Sequence, residues 1–206
     1  MPLDFPPRST HESEIKALLN VLASVVEGRT ATYVSAPITS GKRYLDWHAQ
    51  RGKDTNESQP TYRDVHSREV IKPNRVHAQQ VVQKIRRSLA GVLIDPTAFD
   101  DIPGWTQDDY RDFWSQVIKK YVNSVIFING WEHSNGCSYE FFIAQRNGIT
   151  TLDEDFHPLT FEQGLELIQA AINEMRRQGL STIFLERVAE GLTRLQCSKA
   201  EELCTE

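Results

Sequence analysis

The stretch Ser124-Val125-Ile126-Phe127-Ile128 decides the fold class of this chain. Its apolar residues run without a break, so a strand formed here would be buried on both faces, which is typical of a parallel sheet. Shorter β-rich segments occur at 31–35, 92–95 and 150–152. Because helical patterns lie between these segments, the order of elements predicts a doubly wound parallel α/β sheet with right-handed crossovers.

Helical patterns also extend the chain beyond the predicted sheet. The first begins at Thr10 or Glu12 and ends at Gly28, after a proline-rich arm. The remaining predicted helices, two of them after the last strand, are 74–89, 107–122, 138–146, 160–178 and 181–197. We therefore divide the chain into an N-terminal arm and helix at 1–28, an α/β domain of the Rossmann or flavodoxin-like kind at 29–158, and a C-terminal helical extension at 159–206.

Residues 40–73 interrupt this domain with a polar insertion that has almost no aliphatic side chains. Its large apolar anchors are Trp47 and Tyr62. So few apolar groups favour a long loop, and long loops in compact domains are often functional or flexible. We predict that residues 44–73 form a mobile or partner-supported lid that closes on substrate.

The composition limits the classes of partner. A formal net charge of -5 argues against a duplex nucleic acid, because proteins that bind one are usually basic. No apolar run reaches membrane-spanning length. The three cysteines are widely spaced and form no CxxC pair, so we expect neither a disulfide framework nor a metal site. We expect no cofactor, and a cytoplasmic location is the default.

The loop after the first strand carries a candidate phosphate site. It reads Ser35-Ala36-Pro37-Ile38-Thr39-Ser40-Gly41-Lys42-Arg43. Backbone N–H groups and hydroxyls in this loop are suited to hold a phosphate, with Lys42 or Arg43 as the cation. The glycine spacing is not that of a Walker A loop. The alternative interpretation is a polar turn with a solvated basic end.

A second candidate site joins the most apolar strand to the next helix. It reads Gly130-Trp131-Glu132-His133-Ser134-Asn135-Gly136-Cys137-Ser138-Tyr139-Glu140. Ser134, Asn135 and Ser138 are suited to cap the helix. We expect Glu140 in the first helical turn, where the helix dipole favours the carboxylate that a nucleophile or base needs. The alternative is that Glu140 only stabilises its own helix.

These two stretches resemble a known family. The segment Ser134–Glu140, followed by Ile143-Ala144, resembles the active-site helix of the nucleoside 2-deoxyribosyltransferase-like superfamily, and more closely its 2'-deoxynucleoside 5'-phosphate N-hydrolase branch. The segment Tyr33–Thr39 looks like that superfamily's first loop, which holds the sugar-phosphate end of the ligand. The similarity covers roughly residues 30–152.

The resemblance implies roles for single residues. Glu140 would be the nucleophile that attacks the anomeric carbon, and Ser134 would contact the 5'-phosphate or 5'-hydroxyl. Relatives that transfer bases usually carry an aspartate where this chain has Ser134, and that departure favours a substrate with a phosphate. The predicted substrate-binding residues are Tyr33, Ser35, Ile38, Thr39, Gly41, Lys42, Asp95, Ser134, Asn135 and Gly136.

The acid that protonates the leaving base is the weakest point of the resemblance. The family places it on the third helix, but counting back from Glu140 reaches Gln116. Asp112 lies one helical turn away, and we predict that it is the acid, ahead of Asp109 and Asp108. The alternative is that Asp112 is an ordinary solvated aspartate.

Other side chains near the carboxyl edge of the sheet have two interpretations each. Asp95 is placed either to approach a ligand or to cap the turn at Pro96. Three aromatic residues are suited either to stack on a base or to pack in the core; they are Phe99, Trp105 and Trp131.

The third helix is apolar over more than one face. Its apolar residues are Tyr110, Phe113, Trp114, Val117, Ile118 and Tyr121. They cover more than the ~100° that packing on one sheet requires. This surplus, like the family resemblance, favours a twofold homodimer. The alternative is that the C-terminal helices cover the same surface.

Three functions remain open from the sequence. The first is an N-glycosidase that acts on a nucleoside 5'-monophosphate or a related nucleotide, with a base-exchanging 2-deoxyribosyltransferase as its enzymatic alternative. The second is an inactive nucleotide-binding sensor, which would lack an acid facing Glu140. The third is an interaction scaffold that binds a partner through its C-terminal helices. Fold alone cannot choose among them.

Overall fold

A computed structural model describes residues 11–51, 60–89, 91–99 and 101–203. It is an α/β fold with an all-parallel sheet, as predicted, and the four strands have the order β2-β1-β3-β4. The strands are β1 Ala31–Ser35, β2 Val92–Ile94, β3 Val122–Phe127 and β4 Thr150–Asp153. The helices are α1 Glu12–Val26, α2 Lys42–Arg51, α3 Pro60–His66, α4 Lys72–Ser88, α5 Gln107–Tyr121, α6 Asn135–Arg146, α7 Phe161–Arg177 and α8 Ile183–Leu203.

Strand β1 is central and buried along its whole length. Tyr33 is paired with Ile94 of β2 on one side and with Val125 of β3 on the other. Alternate residues of β1 and β3 enter two different clusters. Tyr33 and Val125 pack in a large core with residues of α1, α5, α6, α7 and α8, whereas Val34 packs with α4 on the opposite face. The sheet is therefore covered on both faces, as the apolar run in β3 predicts.

The prediction that residues 40–73 form a long loop is wrong. Lys42–Arg51 and Pro60–His66 are α-helices, a π-helix spans Ser67–Ile71, and α4 begins at Lys72. These short helices bury Trp47, Tyr62 and Val70 against one another, in a cluster separate from both sheet cores. The sparse apolar side chains meet across three elements, so no single helical stripe marks them in the sequence. The predicted lid motion stays a prediction, and residues 52–59, like the arm at 1–10, lie outside the described residues.

The surplus apolar face of α5 is covered within the chain. The hydroxyl of Tyr121 donates to the carbonyl of Leu19 in α1 at 3.0 Å. The guanidinium of Arg111 lies over the ring of Phe184 in α8, 5.0 Å from its centroid. The alternative interpretation, cover by the C-terminal helices, is thus met in part through α8, and α1 and α6 also pack against α5. Exposed aromatic surface on α5 therefore no longer argues for a dimer. In the described part of the chain, no helix has the length and apolarity needed to cross a membrane.

Candidate active site

The carboxylate of Glu140 lies at the carboxyl end of β1. Tyr33 Oη donates to Glu140 Oε1 at 2.6 Å, and Ser35 Oγ donates to Glu140 Oε2 at 2.6 Å. Tyr33 and Ser35 alternate along one strand, so they present their hydroxyls on the same face. Glu140 therefore bonds to the central strand, and the alternative that it serves only its own helix does not fit.

Helix α6 begins earlier than the sequence suggested. Ser134 is the N-cap, and its hydroxyl accepts from the N–H of Cys137, so the helix starts at Asn135 rather than near Ser138. Glu140 consequently lies in the second turn, and the expectation of a first-turn residue is wrong. The dipole effect fades beyond the first turn, so it contributes less to Glu140 than expected.

Burial raises the pKa of Glu140 from 4.5 to about 7, although the hydrogen bonds from Ser35 and Tyr33 work in the opposite direction. Withdrawal from water disfavours the charged form, and the two donors recover only part of that loss. Near neutral pH the protonated and ionised forms are therefore both populated. A carboxyl group with this pKa is suited to act as a nucleophile or as an acid–base group.

Cys137 is not the nucleophile of this site. Burial, and then the charge of Glu140, raise the pKa of its thiol to about 12, so a thiolate does not form at neutral pH. The thiol also interacts with the hydroxyls of Ser35 and Ser134, which places Cys137 between the strand and the N-cap. Of the predicted residues around it, Ser134 is buried, Gly136 is half-buried and Asn135 is exposed.

The loop after β1 is held in place by Asn74 of α4. The Asn74 amide donates to the carbonyls of Ile38 at 3.0 Å and Ser40 at 3.2 Å. At Gly41, φ is +85°, and a Cβ there would lie 3.1 Å from the carbonyl oxygen of Gly130. The two predicted loops therefore meet, and glycine is needed where they do. Sequence reasoning missed Asn74, which reads as an ordinary polar residue near the start of a helix.

The predicted phosphate cations are occupied by protein partners. Lys42 Nζ pairs with Asp46 and lies 4.0 Å from Glu174 Oε2. Arg43 Nε donates to Asn74 Oδ1 at 2.9 Å. Thr39 is exposed, and its carbonyl lies 2.9 Å from His66 Nε2. Thr39 is thus at the surface, as a ligand-binding residue requires, but Lys42 and Arg43 both bond to side chains of the protein.

The structure does not bring Asp112 together with Glu140. Asp112 Oδ1 accepts from Gln116 of its own helix at 3.2 Å. Trp114 is the residue of α5 that packs on Tyr33, with ring centroids 5.8 Å apart. Asp112 and Trp114 lie roughly 200° apart around the helix, so Asp112 faces away from Tyr33. Asp109 forms a capping box with Thr106, and Asp108 pairs with Arg111.

Asp95 caps the turn at Pro96. Its Oδ1 accepts from Thr97 N at 3.0 Å and from Thr97 Oγ1 at 2.7 Å. It is nevertheless close enough to contribute to the raised pKa of Tyr33, which comes first from burial and then from Glu140. Asp95 is therefore a turn cap beside the site.

The aromatic residues divide between site and core. Phe99 is 43% exposed and packs edge-on against Trp114, with centroids 5.2 Å apart. Through Trp114, which packs on Tyr33, Phe99 is joined to the residues around Glu140. Trp131 packs on Phe127 in the core, and Trp105 packs on Phe113. Sequence reasoning assigned Trp114 to the core stripe of α5 and so missed its place above Tyr33.

The described residues form cavities away from Glu140, two of which are large. One, of about 600 Å³, lies between α7 and α8. The other, of about 720 Å³, lies at the carboxyl ends of β3 and β4 and is lined by residues that include Phe127, Trp131, Glu132 and Asp153. Neither is lined by Glu140, so we take the hydrogen-bonded carboxyl group, and not cavity size, as the mark of the site. Among the described residues, no group of three or more His, Cys, Asp or Glu side chains is arranged to hold a metal ion.

No protein-family model, curated protein or solved structure matches the chain.

Proposed function

We propose that the protein is an N-glycosidase that cleaves the N-glycosidic bond of a nucleoside 5'-monophosphate or a related nucleotide, with Glu140 as the nucleophile. One observation carries the proposal. The carboxyl group of Glu140, with a pKa of about 7, is fixed through both of its oxygens by Tyr33 and Ser35 at the carboxyl end of the central strand. In open α/β sheets, ligands bind at that edge.

The chemistry requires a carboxylate below the sugar ring. Departure of a nucleobase passes through an oxocarbenium-like transition state, which a carboxylate stabilises by its charge or by a covalent bond. Each oxygen of Glu140 accepts one hydrogen bond, so the group is held in one orientation and keeps further lone pairs for the anomeric carbon. Such fixed geometry lowers the barrier because no reorientation is needed. Water then attacks the anomeric carbon and breaks its bond to Glu140, which frees the sugar and restores the carboxylate. The proton that this water gives up balances the proton that the departing base takes from solvent.

A 5'-phosphate is part of the proposal. Ser134 caps α6, and helix N-termini favour anions through their N–H groups and dipole. An aspartate at this position would repel a phosphate, whereas a serine hydroxyl does not. Lys42 is already paired with Asp46, so its contribution would require exchange of partners.

A panel of nucleosides and nucleoside 5'-monophosphates, analysed for free base by chromatography, tests the proposal. We expect release of base from at least one monophosphate, faster than from its nucleoside. Glu140→Gln should lower the rate by roughly a thousandfold or more, while Glu162→Gln, at an exposed position on α7, should not. Wild-type turnover by Glu140→Gln would remove Glu140 from the mechanism, and faster cleavage of nucleosides would contradict the phosphate.

The inactive sensor remains a second candidate because Asp112 does not face Glu140. A sensor would be stabilised against heat by a nucleotide without releasing base. If base is released, addition of a second, labelled base separates transfer from hydrolysis, since only a transferase incorporates the label.

A homodimer and a cytoplasmic location are further parts of the proposal. The dimer follows from the family resemblance, and light scattering that gives the mass of one chain, 23.6 kDa, would contradict it. The location follows from Cys137 and Cys197, which are both free thiols and suit a reducing compartment.

A further inference from the structure

His133 lies between two carboxylates. Its Nδ1 is 2.9 Å from Glu132 Oε1, and its Nε2 is 3.0 Å from Glu174 Oε2. The residue is 8% exposed. A neutral imidazole has one N–H and can donate to only one of these acceptors, whereas an imidazolium donates to both. The geometry therefore matches the charged form.

The two carboxylates belong to different parts of the fold. Glu132 and His133 lie in the 3-10 turn Trp131–His133, directly before the N-cap Ser134. Glu174 lies on α7. The bond to Glu174 thus joins the loop between β3 and α6 to helix α7, which follows α6 and β4 in the chain.

The same turn fixes the start of α6. The N–H of Ser134 donates to the carbonyl of Trp131 at 2.9 Å. The hydroxyl of Ser138 donates to the carbonyl of Glu132 at 3.1 Å. A displacement of the turn would therefore move the N-cap and the first turn of α6, which leads to Glu140.

We propose that His133 is a positioning residue whose imidazolium clamps the turn Trp131–His133 to Glu174 of α7 and thereby holds Ser134 and the first turn of α6 in place for the substrate. The clamp stands on its own contacts, and its effect on substrate rests on the proposed function. Loss of the proton leaves one donor for two carboxylates, so one bond breaks and the turn loosens.

Titratable groups face the turn from its own residues and from α7, α2 and α6, but the charge that acts on His133 comes from Glu132 and Glu174. Glu132 faces it from its own turn and Glu174 from α7. From α2, Lys42 lies 4.0 Å from Glu174 and also pairs with Asp46. The thiol of Cys137 in α6 senses Glu132 but stays protonated, because its pKa is about 12.

The direction of the pH effect follows from these neighbours. Burial lowers the pKa of His133, but hydrogen bonds and charge from Glu132 and Glu174 outweigh burial and raise the pKa above 6.5. The clamp is therefore complete below pH 6.5 and is lost as pH rises through the higher folded value. Rising pH also ionises Glu140, whose pKa is about 7, so the two groups act in opposite directions: a higher pH favours the nucleophile and weakens the clamp.

NMR titration of the histidine rings tests the clamp without any substrate. His133→Gln identifies the His133 signal by its disappearance, and the wild-type pKa should be above 6.5. Glu174→Gln should lower that pKa, whereas Glu162→Gln, on the same helix but exposed, should not. The backbone amide signals of Ser134 and Cys137 should titrate together with His133 and shift to lower pH with it in Glu174→Gln. A His133 pKa at or below 6.5 that Glu174→Gln leaves unchanged would overturn the clamp.

The pH dependence of turnover tests its link to substrate. With a nucleoside monophosphate that the wild type cleaves, Glu174→Gln should raise KM roughly tenfold at pH 7 with a smaller change in kcat. It should also move the alkaline limb of kcat/KM to lower pH. Equal loss at all pH values would show a merely structural role and overturn the positioning. Absence of cleavage by the wild type would contradict the proposed function, while the amide titration still decides whether the clamp positions α6.

Discussion

The phenol of Tyr33 and the carboxyl group of Glu140 are 107 residues apart in the chain, and yet the two oxygens lie 2.6 Å apart. Burial and the neighbouring carboxylate raise the pKa of Tyr33 well above 10, so the phenol keeps its proton and donates it. The direction of this hydrogen bond is therefore fixed. It favours the ionised form of Glu140 against the burial that disfavours it.

Replacing Tyr33 by phenylalanine should move the acid limb of the pH–rate profile to higher pH. The hydrogen bond from Tyr33 lowers the pKa of Glu140, and its removal leaves burial less opposed. Ser35→Ala should act in the same direction. Tyr121→Phe is the matched control, because its hydroxyl bonds to Leu19 and not to Glu140. The pH dependence of kcat/KM measures the shift in the pKa of Glu140. An acid limb that moves to lower pH in Tyr33→Phe would contradict the role of this hydrogen bond.

Replacing Glu140 by glutamine should stabilise the fold at pH 8. A carboxyl group whose pKa rises from 4.5 to about 7 on folding costs stability once it is ionised, by as much as about 3 kcal/mol at ~1.4 kcal/mol per unit. The cost is complete above pH 7 and disappears towards pH 4.5. Urea unfolding at both ends of this range measures it. A variant less stable than the wild type at pH 8 would show that Glu140 stabilises the fold as an ion.

Cys137 should resist alkylation in the folded protein. Its pKa of about 12 and its burial leave almost no accessible thiolate at pH 8. Cys197 is exposed and serves as the internal control. Mass spectrometry of peptides after brief treatment with iodoacetamide should find label on Cys197 and none on Cys137. Fast labelling of Cys137 before unfolding would reopen the case for a cysteine nucleophile.

Replacing Asn74 by alanine should weaken both the fold and the site. The buried amide serves the carbonyls of Ile38 and Ser40, and leaving these acceptors without a donor costs about 1–3 kcal/mol. Gln79→Ala, at an exposed position on the same helix, is the control. Thermal unfolding measures the first effect, and KM for a monophosphate the second. Wild-type values for both would show that the loop after β1 needs no support from α4.

The sheet could be predicted from the sequence because its signal is local. The apolar run of β3 requires burial on both faces, and the structure supplies helices on both. The helices of the insertion at residues 40–73 could not be predicted in the same way. Trp47, Tyr62 and Val70 come from three different elements and form a core only after folding. Hydrophobic periodicity measures one helix at a time and misses a cluster that is shared among several.

The candidate site was only partly predictable, for a related reason. Glu140, Tyr33 and Ser35 were all chosen from the sequence, but Tyr33 and Ser35 were expected on substrate and instead hold Glu140. The choice of Asp112 depended on counting along a helix without knowing which face turned inward. Trp114 fixes that face by packing on Tyr33, and only the tertiary contact reveals it.

The central place of β1 in the sheet has a consequence for biosynthesis. Ala31 is paired with Val92 on one side and with Val122 on the other, so both neighbours of β1 are translated long after it. Pairing of strands across such separations is slow, because closing the long loop between them costs entropy before the strand contacts form. Until Val122–Phe127 has left the ribosome, β1, which is buried in the folded protein, has at most one of its two partner strands. A chain arrested before Val122 should therefore leave one edge of β1 unpaired and engage chaperones, whereas the full-length chain, in which β3 and β4 have both joined the sheet, should not.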